Sequence, residues 1–175
     1  MYFYTMKRLL ILAIACAFLI PSQAVAHQPV PLLVGDTAAV KGPLLVDGTI
    51  SFAIRASFTK ANEKRGFRAN LKLGDQLAIQ YLIVDKKPEN ALKISQMPRL
   101  VVTSPTGKKF TMKLTERTKF FEPYGQTNYL YLGRYSAPAE EGTYSFLVTS
   151  RGKSSITLAV GEREVFGEVL RDTNQ

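Results

Sequence analysis

From residue 49 onward the chain is dominated by a period of two. In residues 49–58, Ile50, Phe52, Ile54, Ala56 and Phe58 fall on one face, and Ser51, Arg55 and Ser57 on the other. Residues 66–73 repeat this, with Phe67, Ala69, Leu71 and Leu73 set against Arg68, Asn70 and Lys72. Such alternation belongs to strands with one face on a core and the other in water. Residues 76–84 depart from it. Leu77, Ile79, Tyr81 and Ile83 share a face, yet Ala78, Leu82 and Val84 occupy the opposite one, which predicts a central strand covered on both sides.

The later segments read the same way. Residues 100–103 and 109–114 flank Ser104-Pro105-Thr106-Gly107, whose proline and glycine suit a tight turn, so a hairpin is expected with Phe110, Met112 and Leu114 inward. Residues 128–137 place Tyr129, Tyr131 and Tyr135 on one face with Gly133, and Leu130 and Leu132 on the other. Residues 142–149 and 154–160 send Tyr144, Phe146, Val148, Ile156, Leu158 and Val160 inward around the turn Ser150-Arg151-Gly152-Lys153. Residues 165–170 are an edge strand or a short tail. No sustained helical period occurs, and residues 89–95 hold at most a helical turn between Pro88 and Pro98. The expectation is one all-β domain over residues 49–170, an antiparallel β-sandwich of Ig-like or jelly-roll type with about eight strands, after an extended lead-in over 27–48.

The first 26 residues read as a secretory signal peptide. Lys7 and Arg8 precede an apolar run over residues 9–20, Pro21 ends it, and Ala24-Val25-Ala26 is a small-x-small cleavage pattern. The run is too short for a membrane span. Cleavage between Ala26 and His27 gives an exported protein, periplasmic or secreted, and Met6 could serve as the start in place of Met1. The single cysteine, Cys16, lies inside this leader, where the lipobox match is loose. The mature chain would then have no disulfide or thiol chemistry and rest on packing alone. After residue 160 no segment is apolar enough for a transmembrane anchor.

Charge adds a bias. Lys and Arg number 23 against 14 Asp and Glu, a formal net charge of +9, and losing Lys7 and Arg8 with the leader leaves about +7. Anionic partners are favoured, but the basic residues are scattered, in runs of at most two, and nucleic acid is not an expected partner.

Several segments resemble bacterial pre-peptidase C-terminal domains. They are Leu73-Gly74-Asp75-Gln76-Leu77, the strand and turn Leu100-Val101-Val102-Thr103-Ser104-Pro105-Thr106-Gly107, the stretch Ser136-Ala137-Pro138-Ala139-Glu140-Glu141-Gly142-Thr143-Tyr144, and the closing strand Ser154-Ser155-Ile156-Thr157-Leu158-Ala159-Val160. The resemblance covers roughly residues 52–160 and departs from the family in a longer 85–97 insert and an aromatic 119–131 connection. It implies a β-sandwich accessory domain, with Gly142 turning a corner and the Tyr144 hydroxyl tying the incoming loop.

Chemistry-bearing residues are few. His27 is the only histidine, and as a new N-terminus its amine and imidazole could chelate copper, though a histidine brace needs a second histidine. Serine-triad, cysteine and paired-carboxylate hydrolases find no support, and no enzyme is expected. No cofactor is expected beyond copper under that alternative. The densest feature is an aromatic cluster, Phe120, Phe121, Tyr124, Tyr129, Tyr131 and Tyr135, flanked by basic residues, and from it Phe121, Tyr124, Tyr129 and Tyr131 with Arg117, Lys119 and Arg134 are the candidate site residues. Part of it can fill the core. The loop around Phe121 and Tyr124 is the expected recognition site, for an anionic polymer, glycan or protein surface. The reading is an exported, non-enzymatic binding or accessory module, with a periplasmic copper-handling protein as the alternative.

Overall fold

The computed structural model describes residues 27–171. The expected leader, its cleavage site, Cys16 and the last four residues lie outside the described residues. In chain order the strands are β1 (Gln28–Pro31), β2 (Leu44–Leu45), β3 (Phe52–Phe58), β4 (Lys64–Leu71), β5 (Gln76–Val84), β6 (Arg99–Thr103), β7 (Lys109–Thr111), β8 (Thr118–Glu122), β9 (Thr127–Pro138), β10 (Gly142–Thr149), β11 (Ser154–Val160) and β12 (Val169–Leu170). They form two six-stranded sheets. Sheet one has the order β1-β3-β11-β5-β9-β8, and sheet two β12-β2-β4-β10-β6-β7. The inward residues of both sheets form one hydrophobic cluster, an arrangement consistent with a β-sandwich.

The all-β expectation holds; the expectation of about eight antiparallel strands does not. Twelve strands are present among the described residues and the sheets are mixed, because β1 pairs parallel to β3 and β2 parallel to β4. These two parallel strands come from residues 27–48, which lack alternation and are fixed by distant partners. Val30, Leu32 and Leu45 from this segment enter the core. Gln28 and Leu32 donate their amides to Ser51 and Arg55 carbonyls of the β3 side, so the two prolines of β1, Pro29 and Pro31, alternate with the residues that bond inward.

The core follows the alternation. Phe52, Ile54, Ile79, Ile83, Phe67, Phe146 and Leu158 are fully buried, and the Phe67 and Phe146 rings stack at 4.3 Å. Each such side chain contributes roughly 1.5–3 kcal/mol by leaving water. Tyr81 is also buried, and its hydroxyl donates to the Pro98 carbonyl at 2.9 Å. That partner is what allows a polar tip inside the core; burial pushes the phenol's pKa far up.

Two local readings change. Leu73, expected inward, is 77% exposed, because β4 ends at Leu71 and the Asp75 carboxylate caps the following turn through the Lys72 amide. Tyr135 does not share a face with Tyr129 and Tyr131. A register shift between Tyr81 and Leu82 against β9 flips the parity, and Tyr135 stacks on Phe110 toward the core. The corner expected after β9 forms: the Tyr144 hydroxyl accepts the Glu140 amide at 2.8 Å, and Gly142 sits at φ +126° against Pro105.

Candidate ligand groove

The outer face of sheet one is hollow for a reason visible in its side chains. Its middle strands present small residues there, Ala53 on β3 and Thr157 and Ala159 on β11. Toward the β8 edge the outward positions become aromatic, with Tyr129 of β9 directly opposite Phe120 of β8. The step from small to large side chains leaves a cavity of ≈ 380 Å³. Leu82, Ala53 and Ala159 line its apolar floor, Phe120, Tyr124 and Tyr129 one wall, and Phe166 and Pro29 the other side.

Two short segments carry the exposed rings. The β8–β9 hairpin brings in Tyr124, 76% exposed, and the hairpin is shaped by Glu122. That carboxylate accepts the Tyr124 and Gly125 amides at 2.8 and 2.5 Å, which ties its charge to the turn. On the far side, the Gln28 carboxamide pairs with both backbone groups of Gly167, at 2.9 and 3.0 Å. This clamp holds the neighbouring Phe166, 80% exposed, at the groove. Gly167 is required there, since a Cβ would lie 2.5 Å from the Phe52 ring.

Besides the tyrosines, three ionisable side chains reach the groove. His27 directs Nδ1 at the Ser51 hydroxyl, and Glu122 is held by its loop. Arg55 has no ion pair and no side-chain hydrogen bond among the described residues. It also opens onto an adjoining depression of ≈ 520 Å³ shared with Tyr129 and Thr157, where Lys86, Lys87 and Glu89 stand. The surface therefore runs from an aromatic half, past one unpaired guanidinium, to a mainly basic half. It is suited to stack planar or ring-shaped groups and to fix one negative charge.

The expected site residues divide. Tyr124 and Tyr129 line the groove, and so does His27 from outside the expected loop. Phe121 is half exposed but alternates with Phe120 and does not line the groove. Arg117 is committed to structure, bonding the Asn90 and Leu92 carbonyls. Arg134 lies 4.1 Å over the Tyr131 ring and pairs with Glu116 at 3.2 Å, outside the groove. Burial raises the Tyr131 phenol's pKa, with Arg134 opposing and Glu116 adding to it. Lys119 is exposed on edge strand β8. Sequence reasoning passed over Arg55 and Phe166, and counted Phe120 in the aromatic cluster without choosing it as a site residue. Parity alone pointed to Phe120, because adjacent phenylalanines in a strand face opposite ways. Phe166 sits in an irregular segment and carried no such signal.

Among the described residues no group of three His, Cys, Asp or Glu side chains could hold a metal ion, and no helix is long and apolar enough to cross a membrane. No protein-family model matches the chain, and no curated protein matches it.

Proposed function

We propose that the chain is an exported, non-enzymatic binding or accessory module whose groove on sheet one holds an acidic glycan. The observation that carries this reading is the convergence of Phe120, Tyr124, Tyr129 and Phe166 on a cavity whose one unpaired cation is Arg55. Aromatic faces stack on sugar rings through their apolar C–H surface, and a guanidinium takes a carboxylate in a bidentate pair. The basic depression beyond Arg55 extends the track for a longer anionic chain. The signal-like leader and the resemblance to pre-peptidase C-terminal domains support an accessory role in a bacterial envelope or outside the cell.

Titration calorimetry with a uronic-acid oligosaccharide and its neutral analogue tests the reading. Tyr129→Ala is expected to weaken binding of both at least ~tenfold, as a central aromatic contact does. Arg55→Ala is expected to remove the preference for the acidic sugar, and Phe121→Ala to change neither. Binding that ignores Tyr129 and Arg55 overturns the assignment, and binding of an extended acidic peptide in preference to both sugars moves it to a protein partner.

The copper alternative has less support. Its Nδ1 ligand faces Ser51, and the described residues bring no second histidine to His27.

A further inference from the structure

Four of the basic residues scattered along the sequence are brought by strand pairing onto the outer face of sheet two. Lys64 and Arg99 stand in one row with Thr149 between them. Arg68 and Lys109 end another row, across Ser145 and Thr103. β4, β10, β6 and β7 contain no Asp or Glu at all. None of the four cations has an ion pair among the described residues, and Arg68 Nε is buried without a partner. Two acids beside this face are committed elsewhere. Glu63 caps the turn at Thr59 and Lys60, and Glu140 is held by Ser104, Thr106 and Lys108.

One segment lies across the same face. The Gly66 amide donates to Asp36 at 2.7 Å and the Arg68 amide to Pro43 at 2.8 Å, so residues 36–43 ride on β4. From there Val40, 66% exposed, stands beside exposed Lys41, and the preceding turn exposes Leu33 and Val34. Apolar side chains left in water next to unpaired cations are unfavourable on a free surface and favourable at a lipid headgroup boundary.

We propose that the outer face of sheet two docks the protein on anionic lipid headgroups, with Lys64, Arg68, Arg99 and Lys109 on phosphates and Val40 at the boundary. Spacing favours a plane over a chain. With strands about 4.8 Å apart and residues about 3.3 Å apart, the cations mark the corners of an area roughly 10–14 Å on a side. A linear polyanion meets two corners at once; a leaflet meets four. The site is separate from the groove and does not depend on the ligand held there.

Vesicles of phosphatidylcholine, with and without phosphatidylglycerol, test this by co-sedimentation of the full chain. The double variant R99E/K109E is expected to lose roughly thirtyfold or more in affinity for the anionic vesicles, at about fivefold per cation removed from the surface. K86E/K87E, on the sheet-one side, changes net charge equally and is expected to keep most of the binding. The apolar run at residues 9–20 is common to all three proteins, so its contribution appears with neutral vesicles and cancels. Equal losses in both variants, or none in R99E/K109E, overturn the proposal. So does a loss confined to soluble polyphosphate with vesicle binding intact.

Discussion

The two outer faces are built from the same strand geometry and end with opposite character. On sheet one, small residues in the middle strands and rings at the edge make a hollow, and most of the charges around it are spent. Glu122 shapes a turn, Arg134 pairs with Glu116, and Glu89 accepts the Ser155 amide, which leaves Arg55 in the hollow, and Lys86 and Lys87 beyond it, without ion pairs among the described residues. On sheet two the outward positions mix cations with Asn, Ser, Thr, Val and Leu, and none of its four cations has an ion pair among the described residues. Selectivity grows from shape on the first face and from unbalanced charge on the second. A shaped face discriminates among ligands and depends on single side chains. A charged face acts by sum and responds to salt.

Substitutions can separate the two. The largest effect on stability is expected from Gly66→Val. A Cβ there would lie 2.5 Å from the Ala39 amide nitrogen, so the segment over β4 must shift, at a cost of about 1–3 kcal/mol in chemical denaturation. Vesicle binding should fall with it while groove binding stays. Loss of both would show that the faces are coupled through the core.

Acid titration gives a second, smaller test. Hydrogen bonds from Thr106, Lys108 and Ser104 hold the Glu140 carboxyl down at about 2, from an ordinary 4.5. A depressed carboxyl stabilises the fold above the unfolded value and loses that contribution as pH falls through the folded value. Thermal midpoints of the wild type and Glu140→Gln are therefore expected to differ near neutrality and to converge between about pH 4.5 and 2. A constant gap across that window would mean that the lost side-chain hydrogen bonds, not ionisation, dominate. Arg134→Ala should do least. Its pair with Glu116 is exposed, and such pairs contribute about 0–1 kcal/mol. A clear loss of groove affinity in this variant would extend the site beyond Arg55.

Much of the scaffold was legible because burial on one face enforces alternation. The runs at Phe52–Phe58, Gln76–Val84 and Ser154–Val160 could be read directly, as could the double covering of Leu82 and Ala78. What failed was set by contacts distant in sequence. The parallel pairing of Gln28–Pro31 with β3 leaves no local trace, and the bulge that turns Tyr135 inward depends on the register of a neighbouring strand. The groove suffered in the same way. Phe120, Tyr124 and Tyr129 stood out as a dense aromatic stretch, but Arg55 and Phe166 meet them only through the strand order of sheet one. Parity along each strand could be inferred; adjacency between strands could not.

The prolines of β1 also bear on how these molecules meet one another. An open sheet margin normally offers amide donors to any passing extended chain, and growth by strand addition starts there. The amides of Gln28 in β1 and of Leu32 just after it already bond toward β3, and the alternate positions, Pro29 and Pro31, have no amide hydrogen to give. Sheet one is thus closed to sideways recruitment along this margin, so copies crowded together have no template there for stacking into fibres.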